Sequence, residues 1–483
     1  MDSTLAFASA SKLAELIRTK KIGAVEALDF FLERSERLNP KINAIIQWQV
    51  DVARKAAEER DSAAARGTFH GPLHGVPMTV KESFDVPGLP TTWGFEAYRN
   101  NIPQKPALAV ERLERAGAVV FGKTNVPVGL ADWQSFNPIY GTTNNPWDVG
   151  RTPGGSSGGS AAALAAGLTG LEIGSDIGAS IRDPAHYCGV YGHKPTFDIC
   201  SRDGHLLPES YSHGDISVIG PLARSAFDLE VALDIMAGPN AIDARGWSLQ
   251  LPRATKTSLR DYKVAVMTTA PSAPVDHAVR EKVEALAEYL RKQGVQVDVD
   301  ARPTDPNAAH EAFIMLLRSA TSGRMDEAVH EKLVAARAGA AGKSDYFSWH
   351  ALANTMGHRE WLHWDNLRHR MRAEWEQFFT SFDLLLCPTA ATTAFPHMQT
   401  GERWERMLDV DGQPQPTTTQ LFWAGYSGMV MLPSTVAPLG PASDGLPVGV
   451  QIIAPQYLDH SAIRFAQLLE REYCAFTPPP GFA

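Results

Sequence analysis

The spacing of apolar residues at the start of the chain is typical of amphipathic helices. Apolar side chains repeat at intervals of three to four residues, as at Leu13, Leu16 and Ile17, with charged residues between them. We therefore predict a helical segment over residues 1–70. Pro40 is expected to interrupt it, because the residue before a proline is pushed out of the α region.

The pattern then changes to a period of two. Val76, Met78 and Val80 alternate with other residues and predict a β-strand that ends at Lys81. Glycines and prolines bracket this apolar strand, so we expect it to be a central strand. In that position it would carry Lys81 into an interior cleft instead of to the surface.

Strands and helices alternate along the rest of the chain, which is typical of an α/β fold. The predicted strands lie at about 118–121, 171–174, 263–267, 295–299, 384–387, 429–436 and 448–453. The predicted helices lie at about 107–115, 160–166, 275–292, 308–379 and 460–471. No repeat or low-complexity linker divides the sequence, and we therefore predict one domain over residues 1–483.

Composition excludes several classes of protein. Hydrophobic residues make up 44% of the chain and charged residues 20%, as in globular proteins with a large core. The formal net charge is −9 and the pI is near 5.9, so the chain lacks the basic surface that phosphate backbones select. No nucleic-acid partner is expected.

The cysteines and the apolar runs of the sequence indicate in which compartment the protein is expected. The four cysteines, Cys188, Cys200, Cys387 and Cys474, lack CxxC spacing and predict neither a disulfide framework nor a zinc site. We expect no metal and no cofactor. The N-terminal residues do not resemble a secretory signal, and the longest apolar run is too short and glycine-rich to span a bilayer. We predict a cytoplasmic protein without a membrane contact.

Two glycine-rich turns carry serines. They are residues 154–160 (GGSSGGS) and residues 174–182 (GSDIGASIR). Glycine lets backbone N–H groups converge on a small volume, which is the arrangement that a developing oxyanion requires. A Gly/Ser run taken alone is typical of a flexible linker. The long irregular connection before the first turn, residues 125–152, favours a functional role, because such loops in compact domains are usually functional.

The first turn also fits the G-x-S-x-G pattern of α/β-hydrolase esterases, with Ser156 or Ser157 as nucleophile. That pattern requires a strand directly before the turn, whereas the preceding sequence is typical of a loop. It also requires a histidine partner. The candidates are His186, His193, His205 and His213.

Several motifs in order along the chain resemble the amidase signature family, whose members are serine amidohydrolases. Besides the two serine turns, these are residues 75–81 (GVPMTVK), 140–146 (YGTTNNP), 188–190 (CGV), 192–196 (GHKPT), 220–225 (GPLARS) and 446–451 (LPVGVQ). The chain is most similar in character to bacterial aryl acylamidases and broad amidases. The resemblance implies a central, mixed, twisted β-sheet covered by helices on both faces. It makes residues 71–225 the catalytic core and residues 300–380 a helical block over the pocket.

The resemblance also implies a Ser-Ser-Lys triad. It makes Ser180 the nucleophile, Ser156 the bridging serine and Lys81 the base. A lysine accepts a proton only when it is neutral, and burial favours the neutral form. The oxyanion would be bound by the backbone N–H groups of four residues, Ile177, Gly178, Ala179 and Ser180.

Other residues have supporting roles in this interpretation. Asp176 and Arg182 flank the nucleophile and are expected to brace its turn, while Thr152 and Ser157 would orient Ser156 or act as turn and cap hydroxyls. Ala179 replaces a glycine that the family commonly has, and its Cβ is expected to narrow or tilt the pocket.

Aromatic residues are expected to line the pocket, and few charged residues lie near them in the sequence. Such a pocket favours aryl or lipophilic amides as substrates, with carbamates as a variant. These residues are Trp133, Phe136, Tyr140, Phe422, Trp423 and Tyr426. We expect a monomer or homodimer that acts on a small molecule. The alternatives are an amidotransferase component that acts on glutamyl-tRNA with partner subunits, an esterase that uses Ser156, and a binding protein without turnover.

Overall fold

Two β-sheets, of eight and three strands, make up the computed structural model together with two short two-stranded sheets and the helices packed on them, and the model describes residues 2–482. The α-helices are α1 (Asp2–Ala6), α2 (Ala10–Arg18), α3 (Ala24–Ile42), α4 (Val50–Ala65), α5 (Leu108–Arg115), α6 (Gly158–Ala165), α7 (Arg182–Cys188), α8 (Ala226–Met236), α9 (His277–Lys292), α10 (Pro306–Thr321), α11 (Glu327–Ala340), α12 (Tyr346–Asn354), α13 (His358–Phe379), α14 (Leu421–Gly428) and α15 (Asp459–Glu472). The strands are β1 (Ile45–Trp48), β2 (Pro77–Lys81), β3 (Val119–Thr124), β4 (Phe136–Asn137), β5 (Gly141–Thr142), β6 (Glu172–Asp176), β7 (Tyr191–Lys194), β8 (Val218–Ala223), β9 (Lys263–Val266), β10 (Gln296–Asp298), β11 (Leu384–Pro388), β12 (Met407–Val410), β13 (Gln413–Pro416), β14 (Ser434–Pro441) and β15 (Pro447–Ile453).

The larger sheet has eight strands in the order β10-β9-β11-β15-β14-β7-β8-β6. Strand β9 runs parallel to both of its neighbours, and the other pairs are antiparallel. Every residue of the central strand β15 is buried, which requires cover on both faces of the sheet. The predicted fold class, one α/β domain with a mixed sheet flanked by helices, is confirmed.

The strand that carries Lys81 belongs to a separate sheet of three strands, in the order β1-β3-β2. The prediction of a central strand is therefore wrong, because β2 is an edge strand. It is nevertheless buried along its whole length, since it lies beside β6 at the edge of the larger sheet. The Thr79 N–H donates to Thr169 Oγ1 at 2.9 Å, and the Thr79 hydroxyl donates to the Glu172 carboxyl group.

The N-terminal segment differs from its prediction in two respects. Pro40 lies inside α3 and does not interrupt it, because the helix continues to Ile42, which is fully buried. The side chain of Asn39 then accepts hydrogen bonds from the N–H groups of Ala44 and Ile45 and directs the chain into β1. This short strand was not predicted.

Near the C-terminus, the strand predicted for residues 429–436 begins only at Ser434, because the preceding residues form α14 and a turn. In that turn Met431 adopts a left-handed conformation with φ +66°. The helical block predicted for residues 308–379 consists of α10 to α13. None of the described helices combines the length and the apolar character needed to cross a membrane.

Candidate active site

Lys81 lies at the end of β2 and is completely buried. Its Nζ donates to Ser156 Oγ at 2.6 Å and to Ser175 Oγ at 3.0 Å. Burial lowers the pKa of Lys81 to about 7, although the carboxyl groups of Asp176 and Asp183 act in the opposite direction. A large fraction of this amine is therefore neutral near neutral pH and can accept a proton.

The turn that carries Ser156 is held close to its neighbours by glycines. A Cβ on Gly155 would lie 2.3 Å from the carbonyl oxygen of Asp132, so no larger residue fits there. The Gly155 N–H donates to Asp183 Oδ2 at 3.1 Å, and the Gly155–Ser156 peptide bond is cis. Ser156 is 1% exposed and lines a cavity.

The turn that carries Ser180 is supported by a buried ion pair. Arg182 Nη2 lies 2.8 Å from Asp176 Oδ1, and both side chains are inaccessible to solvent. Burial alone would raise the pKa of Asp176, but the guanidinium of Arg182 and backbone N–H donors hold it below its ordinary value. The same guanidinium donates to Ser427 Oγ at 3.0 Å and to Gln451 Oε1 at 2.7 Å, which connects the turn to α14 and β15.

The peptide unit between Gly178 and Ala179 has partners on both sides. The indole N–H of Trp133 donates to the Gly178 carbonyl at 2.7 Å, and the Ala179 N–H donates to Asp176 Oδ1 at 2.9 Å. Ala179 is therefore not available as an oxyanion donor, which corrects its predicted role. Within residues 2–482 we find no acceptor for the N–H groups of Ile177, Gly178 or Ser180.

Both serines open into a cavity of about 590 Å³. Ile177 and Gly178 also line it, next to apolar side chains. These apolar lining residues include Val128, Leu130, Trp133, Leu317, Phe395, Leu408 and Leu421. Within the described part of the chain, no cluster of three or more His, Cys, Asp or Glu residues is arranged to hold a metal ion.

Of the six aromatic residues predicted for the pocket, only Trp133 lies on the cavity wall. Phe422, Trp423 and Tyr426 are buried in the core, because α14 presents Leu421 to the cavity and turns its aromatic residues inward. Phe136 and Tyr140 also lie away from the wall. The Tyr140 hydroxyl accepts from the Gln47 side chain at 2.6 Å, so this residue packs against the N-terminal segment.

The expectation of few charges in the cavity is also wrong. Arginines contribute to its wall at four positions, Arg202, Arg318, Arg403 and Arg406. Arg406 is paired with Asp132 at 2.6 Å, and Arg202 is paired with Asp198 at 3.2 Å. Ala179, in contrast, is fully buried and does not line the cavity, so its Cβ does not narrow the pocket as expected.

Thr152 and Ser157 support the first turn indirectly. The Thr152 hydroxyl donates to the Trp133 carbonyl and accepts from the Gly154 N–H, both at 3.0 Å. The Ser157 N–H donates to the Ser180 carbonyl at 3.0 Å and connects the two turns directly. Neither side chain is bonded to Ser156, so their expected role in orienting that hydroxyl is replaced by one in holding the loops.

Two residues at the site were not predicted. Ser175 accepts a hydrogen bond from Lys81, and the buried Asp183 accepts from Gly155. In the sequence only their position could have indicated a role at the site. Ser175 precedes Asp176 in β6, and Asp183 lies in the first turn of the helix after Ser180. Neither position distinguishes them from ordinary strand or helix residues.

The histidines that an esterase mechanism requires have other partners. His186 lies against Thr392 and Gly449, His193 against Asp459, and His213 against Asp203. His205 contacts Ser83 at 3.0 Å. Irregular chain precedes Ser156, without the strand that a nucleophile elbow needs. Ser156 is bonded to Lys81 and to none of these four histidines, so the geometry favours the lysine site over the esterase alternative.

Comparisons with known proteins identify the family of the chain. The model of the Amidase family matches residues 26–463. The chain belongs to the amidase family. An acylamidase of Rhodococcus erythropolis is 31% identical to this amidase over 97% of the chain and 96% of its own length. An indoleacetamide hydrolase of Bradyrhizobium diazoefficiens is 32% identical over 96% of the chain and 86% of its own length. The protein is an amide-cleaving hydrolase.

Other relatives and a solved structure complete the comparison. The A subunit of the glutamyl-tRNA(Gln) amidotransferase of Gloeobacter violaceus is 30% identical to this amidase over 96% of each chain. A bacterial aryl acylamidase of the amidase signature family has the same fold, with a TM-score of 0.80 over 96% of each chain at 24% identity. The family that the sequence motifs suggested is confirmed.

Proposed function

We propose that this amidase hydrolyses amides with an aromatic or lipophilic part through an acyl-enzyme on Ser180, with Ser156 and Lys81 as a proton relay. The observation that carries the proposal is the contact of Lys81 Nζ with Ser156 Oγ at 2.6 Å, made by an amine whose pKa burial lowers to about 7. A neutral amine in that place is a general base for the bridging hydroxyl.

In the proposed mechanism the Ser180 hydroxyl attacks the amide carbonyl as its proton passes to Ser156, while Ser156 gives its own proton to Lys81. The N–H groups of Ile177, Gly178 and Ser180 bind the resulting oxyanion. Each such donor is worth roughly 3 kcal/mol of transition-state stabilisation in comparable sites. The relay then returns the proton to the leaving amine, and water hydrolyses the acyl-enzyme.

The cavity wall and the named relatives support the proposed substrate class. Leu317, Leu421 and Phe395 provide an apolar surface beside the serines, which suits an aryl or alkyl group. One relative is named for acylamides and another for indoleacetamide. Carbamates present the same carbonyl geometry, so urethane hydrolysis is part of the proposal as a variant.

Peptide mapping after reaction with a slowly deacylating anilide or carbamate tests the mechanism. Intact-protein mass spectrometry is expected to show one added acyl group, and the mapped peptide should carry it on Ser180. Label on Ser156 would contradict the proposal. A panel of anilides, primary amides and carbamates, compared by kcat/KM, then orders the substrate classes.

The similarity to a glutamyl-tRNA(Gln) amidotransferase component supports a second candidate, the release of ammonia from glutamine for glutamyl-tRNA. This role needs partner subunits, whereas the proposed amidase acts alone. Purified protein that turns over anilides but leaves glutamine intact supports the first function. Glutamine hydrolysis that appears only with partner subunits, with no anilide turnover, supports the second.

A further inference from the structure

Two arginines on the cavity wall, Arg318 and Arg403, have no acidic partner among the described residues, and Arg318 is the buried one. Arg318, on α10, is 7% exposed and lines the cavity, and its buried Nε makes no hydrogen bond. No carboxylate oxygen of the described residues lies within 4.0 Å of its guanidinium. The guanidinium instead lies over the Tyr346 ring, 5.5 Å from the centroid.

The charges around Arg318 do not neutralise it. His350 is buried beside it on the cavity wall, and burial together with Arg318 and Arg403 lowers the pKa of His350 to about 3, so its imidazole is neutral. Of the acidic wall residues, Glu402 and Asp326 are exposed to solvent, and Asp132 is already paired with Arg406. The interior of the cavity therefore carries an uncompensated positive charge.

Arg318 is also close to the reaction centre along its own helix. The preceding residue, Leu317, packs on the second serine turn, with its Cδ2 4.0 Å from the point where a Cβ on Gly178 would lie. Arg318 follows Leu317 on α10, and both side chains line the same cavity. A substrate with its carbonyl at Ser180 and its apolar part along Leu317 would thus extend towards Arg318.

We infer that this cavity takes amides that carry a carboxylate at the end remote from the scissile bond, and that Arg318 binds that carboxylate. A guanidinium buried without a counter-ion is unfavourable, and a substrate carboxylate supplies the missing charge. The planar guanidinium also matches a carboxylate with two parallel hydrogen bonds. This inference rests on the proposed function and specifies its substrate class.

The test compares acidic substrates with neutral substrates of the same shape. On the acyl side these are the mono-4-nitroanilides of succinic, glutaric and adipic acids and the anilides in which an isopropyl group replaces the carboxyl group. On the amine side they are 4-acetamidobenzoate and 4-isopropylacetanilide. For the best pair the wild-type kcat/KM is expected to favour the acid by at least about tenfold, the size of one charge-assisted hydrogen-bonded contact.

Variants assign that preference to one residue. Arg318→Met, of similar length and without charge, is expected to reduce the acid-to-neutral ratio to 1 or below, while Arg318→Lys retains part of it. Arg202→Met is the matched control, because Arg202 lines the same cavity but is paired with Asp198, which does not line it, and its ratio should stay at the wild-type value. A wild-type enzyme without acid preference, or an equal loss in both Met variants, overturns the inference.

Binding measurements separate this inference from the proposed function. If no amide is turned over, calorimetric titration of glutarate and of terephthalate into folded wild-type protein and Arg318→Lys still reports on the site. Binding to the wild type that is weakened at least about tenfold in the variant supports the carboxylate site even though hydrolysis fails. Equal or undetectable binding to both proteins overturns it. Circular dichroism melting curves verify that each variant is folded.

Discussion

The turns that carry Ser156 and Ser180 are joined by a hydrogen bond, but they are supported by different charges. A buried lysine contacts Ser156, whereas an ion pair between Asp176 and Arg182 lies behind Ser180. Burial dominates at the first turn and lowers the pKa of Lys81 to about 7. At the second turn burial is again the largest single effect, but the Arg182 guanidinium together with Lys194 and the backbone donors outweighs it and lowers the pKa of Asp176.

Two buried carboxyl groups show the same contrast. Asp176 has a cation beside it, and its pKa lies below the ordinary value. Asp183 accepts from the Gly155 N–H but has no ion-pair partner among the described residues, and burial raises its pKa well above the ordinary value. The presence of a bonded cation therefore decides in which direction the pKa of each of two equally buried carboxyl groups is shifted. Asp176, paired with Arg182, fixes the geometry of the Ser180 turn, whereas Asp183 holds the Ser156 turn through the Gly155 N–H.

Replacing Lys81 is expected to have the largest effect. Lys81→Met removes the base that both serines depend on, and residues that act as a unit each cost almost as much as the whole unit. We expect kcat for an anilide to fall by roughly 10⁴ to 10⁶-fold. Adding Ser156→Ala to Lys81→Met should lower kcat little further. Independent losses that multiply would show that the two residues do not form one relay.

Lys123→Met is the matched control for this prediction. Lys123 is also fully buried, on the adjacent strand β3, and burial lowers its pKa to about 8. Its Nζ donates to the Glu82 and Pro90 carbonyls and to Thr91 Oγ1, and it does not line the cavity. The variant is expected to lose stability but to retain kcat per folded molecule within about tenfold, since it lacks contact with the relay.

Asp176→Asn and Asp183→Asn test the contrast between the two carboxyl groups. Asp176→Asn leaves the Arg182 guanidinium buried without its counter-ion, which we expect to lower the free energy of unfolding by about 3–5 kcal/mol. Asp183→Asn keeps an oxygen that accepts from the Gly155 N–H. It removes a carboxyl group whose charged form is disfavoured by burial. Its free energy of unfolding at pH 7 should be unchanged or higher. Urea titrations measure both values, and equal losses would contradict the assignment of charge.

The same pair predicts opposite pH responses. The pKa of Asp176 is lowered in the folded state, so its stabilising contribution is present above the ordinary value of 3.8 and is lost as the pH falls below it. The pKa of Asp183 is raised, so this group destabilises the fold increasingly as the pH rises above 3.8. The stability gain of Asp183→Asn over the wild type should therefore grow with pH.

The pH dependence of kcat/KM tests whether Lys81 acts as a base. Only its neutral form accepts a proton, so activity should increase about tenfold per pH unit below 7 and level off above it. Between pH 5 and pH 8 the increase is roughly 100-fold. A substrate that does not ionise in this range excludes a contribution from the substrate. Measuring the stability of the enzyme at each pH excludes a contribution from unfolding. A flat profile over this range would contradict a lysine base.

The residues that meet at the candidate site were predictable from sequence, because Lys81 and the two serine turns lie within short motifs whose residue order is informative. The cavity wall was not predictable. Helix α14 has the sequence LFWAGYSG, which is apolar on every side, so its periodicity does not show that Leu421 faces the cavity and Trp423 the core. Arg318 likewise follows an apolar run in α10, and nothing in that run shows that its guanidinium is buried.

Strand position was ambiguous for a related reason. An edge strand that lies against a second sheet is as apolar as a central strand, which is why β2 was misassigned. The prediction for Pro40 failed because its local backbone preference was weaker than the burial of Ile42 and the hydrogen bonds of the Asn39 side chain. Both errors arose where tertiary packing outweighs local propensity.

Ala179→Gly has the smallest expected effect. It tests whether the shape of the pocket is set by the Ser180 turn or by the residues that line the cavity. Ala179 adopts φ +75°, which disfavours a Cβ by about 1–2 kcal/mol, but glycine loses a buried methyl group and adds freedom to the unfolded chain. These effects oppose each other, so we expect the free energy of unfolding to change by less than about 1 kcal/mol. Because Ala179 does not line the cavity, the ranking of acyl groups by kcat/KM should stay the same, whereas Leu421→Ala should shift it towards bulkier groups. A changed ranking in Ala179→Gly alone would mean that the turn itself shapes the pocket.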